Sequence, residues 1–223
     1  TMPNKNKIVE LLDELSPEAQ LIGAVNTVLN DNGKLIGYNT DGYGFMQSVR
    51  DAGHDITGKN ITVMGVGGAS MAICAQSALD GAASVHIFAR RTSRYWNRTQ
   101  KFAENLSAKT GCQVCLFDND DHTALRDSIA QSYLLINATS VGMVPDIDDT
   151  IIKDTSLFHP ELVVADVVYE PQETRLLREA KAAGCQTFNG MYMLLHQGAK
   201  AFQIWTGQEM PVSVIKEKYF SVK

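Results

Sequence analysis

The stretch Gly65-Val-Gly-Gly-Ala-Ser70 constrains the fold more than any other part of the chain. A short apolar run at 60–64 precedes it, and an apolar helical pattern through Leu79 follows it. Gly65 permits a tight strand-to-helix turn, and Gly67 lets the backbone approach a ligand closely. The helix that follows offers free N–H groups and the positive end of its dipole, which together suit a pyrophosphate. Ser70 is small enough to let that helix pack closely on the strand. The blander reading is a small-residue turn kept only for packing.

The surroundings repeat the same unit. Strand-like runs at 60–64, 84–88, 113–117, 133–137, 162–167 and 186–188 alternate with helical patterns such as 122–131 and 173–183. This predicts a parallel sheet with helices on both faces. Upstream, 6–15 reads as a helix with Ile8, Val9, Leu11, Leu12 and Leu15 on its apolar side, ended by Ser16-Pro17. Weakly alternating runs at 23–29 and 34–38 flank Asn30-Asp-Asn-Gly33, a hairpin turn signal. Asp41 is placed to cap a helix running to about Ala52 and closed by Gly53. Helical patterns return at 191–205 and, after Pro211, at 212–219, with Trp205 expected to anchor these last helices. The expected fold is α/β: a Rossmann doubly wound parallel sheet over 58–190, plus the remainder of a smaller α/β domain at 1–57 completed by C-terminal helices at 191–223.

Composition narrows the function. The 223 residues carry 20 Lys+Arg against 25 Asp+Glu, a net charge of −5, which argues against a dedicated nucleic-acid binder. No apolar stretch approaches the roughly 18 residues of a membrane span. Cys74, Cys112, Cys115 and Cys185 fit no disulfide framework, which favours a reducing, cytoplasmic setting. Cys112-Gln-Val-Cys115 lies in a strand-like run with no second ligand pair, and the five histidines show no metal spacing, so no metal is expected. His196 is expected to pack rather than to act, and Met191 and Met193 to belong to the core.

The end of the second strand of such a sheet selects the dinucleotide. Here it reads Phe88-Ala-Arg90-Arg91-Thr92-Ser93-Arg94, with Arg98 beyond and no acid. Planar guanidinium groups fit a 2′-phosphate, so NADP is favoured and NAD stays open. A solvated basic face at a helix start and a nucleic-acid patch are the rival readings.

Outside that segment, further motifs stand in order: Thr1-Met-Pro-Asn-Lys5, Gly23-Ala-Val-Asn-Thr27, Gly37-Tyr-Asn-Thr-Asp41-Gly, Asn137-Ala-Thr-Ser-Val-Gly-Met143, Asp166-Val-Val-Tyr169-x-Pro171, Gly190-Met-Tyr-Met193 and Gln197-Gly-Ala. With the glycine turn, they resemble the shikimate dehydrogenase family over essentially the whole chain, and more closely its quinate/shikimate branch. The resemblance implies reversible NADP(H)-dependent reduction of 3-dehydroshikimate to shikimate, in aromatic amino-acid biosynthesis, with quinate as a further candidate substrate. It implies Lys5 as the catalytic lysine and Asp41 as its partner. It implies Asn26, Thr1, Tyr169 and Gln197 as substrate contacts. For the cofactor it implies Gly67, Gly68 and Ala69 as the pyrophosphate loop, with Thr139, Val168, Gly190 and Met193 along the rest of the site; the residues themselves add Gly65 and Val66 of the turn and Arg90, Arg91, Thr92 and Arg94 at the end of the second strand. A homodimer is a further expectation.

The implied chemistry is coherent. Hydride leaves the carbinol carbon as the hydroxyl proton departs, so a side chain must take that proton and return it in reverse. Two departures from the family pattern stand out. Ala89 replaces an Asn at the start of the strand-two motif. Thr92 stands where the quinate/shikimate branch carries an Asp that helps accept NAD. The chain opens Thr-Met-Pro-Asn-Lys, without initiator methionine, and reads as cut inside something larger. The resemblance implies an upstream segment holding most of a small sheet and a serine pair for the substrate carboxylate; if that segment is truly missing, this polypeptide alone is expected to be inactive or very weak, and a parent that carries it is expected to be a working enzyme. The rival functions are a dehydrogenase for another polyol acid or a folate, and a non-catalytic NADP-binding sensor.

Overall fold

The computed structural model describes residues 4–220. A 3-10 turn at Ile8–Leu11 leads into β1 (Glu14–Leu15), α1 (Pro17–Ile22), β2 (Thr27–Asp31), β3 (Lys34–Tyr38) and α2 (Asp41–Asp51). The alternating part follows as β4 (Asn60–Met64), α3 (Gly68–Leu79), β5 (Ser84–Ala89), α4 (Trp96–Thr110), β6 (Gln113–Asp118), α5 (His122–Gln131), β7 (Leu134–Asn137), β8 (Val163–Asp166), α6 (Arg175–Ala182) and β9 (Gln186–Phe188). The chain closes with α7 (Met191–Thr206), the short α8 (Val212–Ile215) and a π-helical turn at Lys216–Phe220.

The six strands β4 to β9 form one sheet in the order β6-β5-β4-β7-β8-β9, every neighbouring pair parallel. This is the doubly wound arrangement that the strand–helix alternation predicts, with its order reversing between β4 and β7. Apolar layers cover both faces. Phe45, Ile61, Ile73, Ile87 and Ile136 belong to one, and Phe88, Ile129, Leu135, Leu162 and Leu177 to the other. The second sheet is small, in the order β1-β3-β2. Its hairpin turns where expected, with Asn32 and Gly33 at positive φ (52° and 98°).

Two local readings of the sequence are overturned. Residues 6–15 do not form one helix. The Asp13 N–H donates to the Leu35 carbonyl at 2.9 Å, and the Asp13 carboxylate accepts the Leu35 N–H at 2.7 Å. The backbone is thereby drawn into the sheet as β1, parallel to β3, and Leu12 and Leu15 cover the bare face of Gly37. Ser16-Pro17 starts a helix instead of ending one. The Ser16 hydroxyl accepts the Ala19 N–H at 3.2 Å and Pro17 fills the first helical position.

Helix α2 lies between α3 and α7 at unusually close range. A β-carbon on Gly42 would come within 2.3 Å of the Ala72 carbonyl oxygen, and one on Gly44 within 2.7 Å of the Gln197 nitrogen and the Met193 oxygen. These two glycines let three helix backbones share one layer. The Trp205 indole on α7 donates to the Val28 carbonyl at 2.9 Å, which ties the last long helix back to the small sheet. No helix among the described residues is long and apolar enough to cross a membrane.

Candidate active site

Asp41 is the first residue of α2, preceded by Thr40, and its carboxylate does not cap the helix. Asn39 does the local work instead. Its side-chain oxygen accepts the Asp41 N–H at 3.1 Å, and its amide donates to the Ala24 carbonyl at 3.0 Å. Both Asp41 oxygens are therefore free to face outward from the helix start. Oδ1 accepts from Asn26 Nδ2 at 2.8 Å, and Oδ2 takes the Lys5 ammonium at 2.5 Å. Asn26 is itself clamped, since its Oδ1 accepts the Thr40 N–H at 3.0 Å and its Nδ2 also reaches the Thr40 hydroxyl at 3.0 Å. The Val25 N–H donates to the Lys5 carbonyl at 2.8 Å, which fixes the lysine backbone beside this cluster.

The geometry suits proton transfer. The Lys5 side chain is 21% exposed and that of Asp41 11%, so the amine faces an opening while the carboxylate lies beneath it. A charge-assisted bond to a held carboxylate orients the amine, and the positive end of α2 favours the anion. Gln197 packs against α2 at Gly44, within a turn of Asp41. His196 points away. Its Nε2 meets Asp51 at 2.9 Å, at the far end of α2, about 15 Å along the helix by the rise per residue. A polar cavity of about 780 Å³ runs along α2 from Tyr43 to Asp51, lined also by His196 and Lys200.

The glycine turn opens at the sheet's switch point. Gly65 has φ 110°, and a β-carbon there would strike Thr139 Cγ2 at 2.8 Å and the Ala138 carbonyl at 2.9 Å. Buried Ser70 donates its hydroxyl to the Gly65 carbonyl at 2.6 Å and locks the turn. Gly67 precedes α3 in extended conformation, and β-carbons on Gly67 or Gly68 would meet nothing within 4 Å. Bare backbone thus faces open space at a helix N-terminus, which is what a pyrophosphate cradle requires. A cavity of about 780 Å³ runs from Gly65, Val66 and Gly67 past Thr139 to Arg90, Thr92 and Arg94. A second, of about 500 Å³, shares Gly67 and Thr139 with the first and continues over Gly68, Ala69, Val168 and Tyr169, with Met143 and Val144 exposing apolar side chains to it. Together they form one trough over the start of α3. Gly42 touches α3 at Ala72, which packs the start of α2, and with it Asp41, against the second turn of α3.

The structure gathers most of the expected residues and separates some. Arg94 lies over the Tyr95 ring at 4.7 Å and bonds its hydroxyl at 2.6 Å, so its guanidinium is pre-set on the trough rim. Arg91 turns away and stacks on Trp96 at 4.6 Å. Arg98 also leaves the trough: with the Asn6 amide in its bonding orientation, the Asn6 oxygen accepts from both Nη atoms at 2.8 Å. Gly190 and Met193 stand behind the wall. A β-carbon on Gly190 would meet the Val167 carbonyl at 2.1 Å, and Met193 packs against the main core. Thr1 lies outside the described residues. Among the described residues, no group of three His, Cys, Asp or Glu could hold a metal ion. Sequence reasoning assigned no role to Asn39 or Thr40, although a polar residue just ahead of a helix is a capping signal.

A dinucleotide cradle with an arginine rim, on a helix packed against the one that carries a held amine–carboxylate pair, belongs to the class of nicotinamide-dependent oxidoreductases. Comparison with known proteins narrows the class. Residues 1–28 match the model of the shikimate dehydrogenase substrate binding domain, and 190–218 that of the shikimate 5′-dehydrogenase C-terminal domain. The chain is 52% identical over 220 residues to a shikimate dehydrogenase (NADP(+)) of Listeria innocua, covering 99% of this chain and 75% of that protein. It is 42% identical to a quinate/shikimate dehydrogenase of Escherichia coli, covering 97% of this chain and 75% of the relative. A crystal structure of shikimate 5-dehydrogenase from Listeria monocytogenes, in complex with shikimate and NAD, superposes with a TM-score of 0.95 at 52% identity, over 97% of this chain and 75% of that one. The chain belongs to the shikimate dehydrogenase family.

Proposed function

We propose that this protein interconverts shikimate and 3-dehydroshikimate with NADP(H). The observation that carries the reading is the Lys5–Asp41–Asn26 cluster, clamped on both carboxylate oxygens at the start of a helix packed against the one that opens from the glycine cradle. The trough fits the cofactor on its own geometry, because Gly67 and Gly68 leave open space where a side chain would stand and Arg90 and Arg94 line the far end. A bound nicotinamide dinucleotide supplies or accepts the hydride.

The chain's own residues do the rest. On reduction the Lys5 ammonium gives a proton to the forming hydroxyl and becomes the neutral amine; on oxidation the neutral amine takes the hydroxyl proton, while Asp41 holds it in line. Asn26, whose amide is bonded to Asp41 and the Thr40 hydroxyl, meets a substrate hydroxyl by giving up one of those bonds, with Gln197 and Tyr169 as further substrate contacts. Gly65 to Ala69 carry the pyrophosphate. Arg90 and Arg94 meet the 2′-phosphate, with Thr92 between them. Thr139 and Val168 bound the ring end, and Gly190 and Met193 support it from behind. The thiols Cys74, Cys112, Cys115 and Cys185 are all free, in keeping with a cytoplasmic enzyme.

The test is reduction of NADP⁺ or NAD⁺ by the full-length protein with shikimate or quinate, beside Lys5→Ala. Shikimate turnover with NADP⁺ is expected, and the variant should lose roughly 10²–10⁴-fold in kcat. Turnover that survives Lys5→Ala, or none on shikimate, would overturn the assignment. Faster turnover of quinate would move it to the quinate/shikimate branch, as the Escherichia coli relative's name suggests.

A further inference from the structure

Asn137 ends β7 and Asp166 ends β8, paired in register at the carboxyl edge of the sheet. Both are fully buried at 0% exposure, and Thr174 beside them is at 1%. Polar groups so placed must find partners, and these do. Asn137 donates from Nδ2 to Asp166 Oδ1 at 3.0 Å and to the Val141 carbonyl at 3.1 Å. Its Oδ1 accepts the Thr139 N–H at 3.0 Å and the Thr139 hydroxyl at 2.7 Å. Asp166 Oδ1 accepts the Val168 N–H at 2.9 Å, and Oδ2 accepts the Thr174 hydroxyl at 2.8 Å.

Both tethered segments line the 500 Å³ recess, Thr139 on one and Val168 on the other. One amide–carboxylate pair therefore sets how far apart those walls stand. Asn137 and Val168 both donate to Oδ1, and Oδ2 meets only the Thr174 hydroxyl, which can donate or accept, so an asparagine here would keep all three bonds and an alanine would lose them. Burial pushes the carboxyl upward from its usual range, and the bonds from Val168, Asn137 and Thr174 oppose that shift.

We infer that Asp166, acting through Asn137, is a positioning residue that sets the width of the ring-binding half of the cofactor trough. The inference rests on the reading above that this recess takes the nicotinamide end. It separates two halves of one ligand: the adenosine 2′,5′-bisphosphate half meets Arg90 and Arg94, and the ring half meets the walls that Asp166 holds.

The test is calorimetric binding, without substrate, of NADPH and of adenosine 2′,5′-bisphosphate to the full-length protein and to Asp166→Ala, Thr174→Val and Thr174→Ser. Asp166→Ala should weaken NADPH by about tenfold or more while the half-ligand moves by less than about twofold. Thr174→Val should fall between, and Thr174→Ser, which keeps the hydroxyl, should bind as the parent does. Amide hydrogen exchange in 138–141 and 167–170 should quicken in Asp166→Ala. Equal weakening of both ligands would mean a general disturbance of the fold and overturn the role, as would parental NADPH binding by Asp166→Ala. Absence of shikimate turnover by the parent would sink the substrate assignment alone, since the binding contrast is read without substrate.

Discussion

Gly42→Ala sets two well-known effects against each other. In a helix interior, alanine in place of glycine is worth about 1 kcal/mol of added stability from backbone propensity. Position 42 reverses that sign. The new β-carbon would stand 2.3 Å from the Ala72 carbonyl oxygen and 2.8 Å from Gln76 Cβ, where ordinary contact begins near 3.4 Å. Helices α2 and α3 must part by about 1 Å, and overpacking of that kind costs about 1–3 kcal/mol. The obstacle is helix backbone, which has no rotamer to change, so the cost falls at the upper end. The net is a loss of about 1–2 kcal/mol, or about 2–8 °C in Tm for a chain of this size. Asp41 is the preceding residue, and a displacement of about 1 Å at a catalytic group can remove about 100-fold of rate. Calorimetry and kcat/KM on the full-length protein measure both. Gly198→Ala in α7 is the control for stability, because a β-carbon there meets nothing within 4 Å and propensity alone should raise its Tm. A Gly42→Ala protein as stable as the parent, with unchanged kcat/KM, would refute the close approach and the coupling drawn from it.

Two further outcomes follow from the geometry. Arg90→Ala or Arg94→Ala should raise the KM for NADP⁺ by roughly 10–100-fold, the loss expected of a charge-assisted bond to phosphate, and leave NAD⁺ kinetics within about twofold; parallel losses on both cofactors in initial-rate assays would contradict the rim assignment. Burial holds His54 and His86 below the ordinary imidazole range, so the unfolded chain binds more protons as pH falls below about 6.5. Stability is therefore full above that pH and lost as pH drops toward the lowered folded values. Their rings bond the Tyr133 and Ser128 hydroxyls, both at 2.9 Å. The melting temperature of His54→Asn/His86→Asn should vary less between pH 7 and about 5.5 than the parent's, and an unchanged slope would count against the explanation.

The large sheet and its cradle were legible in the chain's local pattern. Strand and helix periodicities over 60–188 and a glycine turn that needs positive φ at Gly65 are local matters of chirality and burial, and local patterns can report them. The family motifs likewise singled out Lys5, Asn26 and Asp41. Tertiary structure decided what those residues touch. Residues 6–15 look helical until the edge of β3 claims the backbone of Asp13, a contact across 22 positions. Arg90, Arg91, Arg94 and Arg98 are alike in sequence, yet two face the trough and two do not, because Trp96 and Asn6 offer Arg91 and Arg98 other partners. Lys5 and Asp41 are 36 residues apart, and their bond exists because Gly42 and Gly44 let α2 sink between two helices and carry its first carboxylate to the cleft. Local free energies select elements one at a time. Which side chains then meet depends on packing summed over the whole core, and no window of the sequence contains that sum.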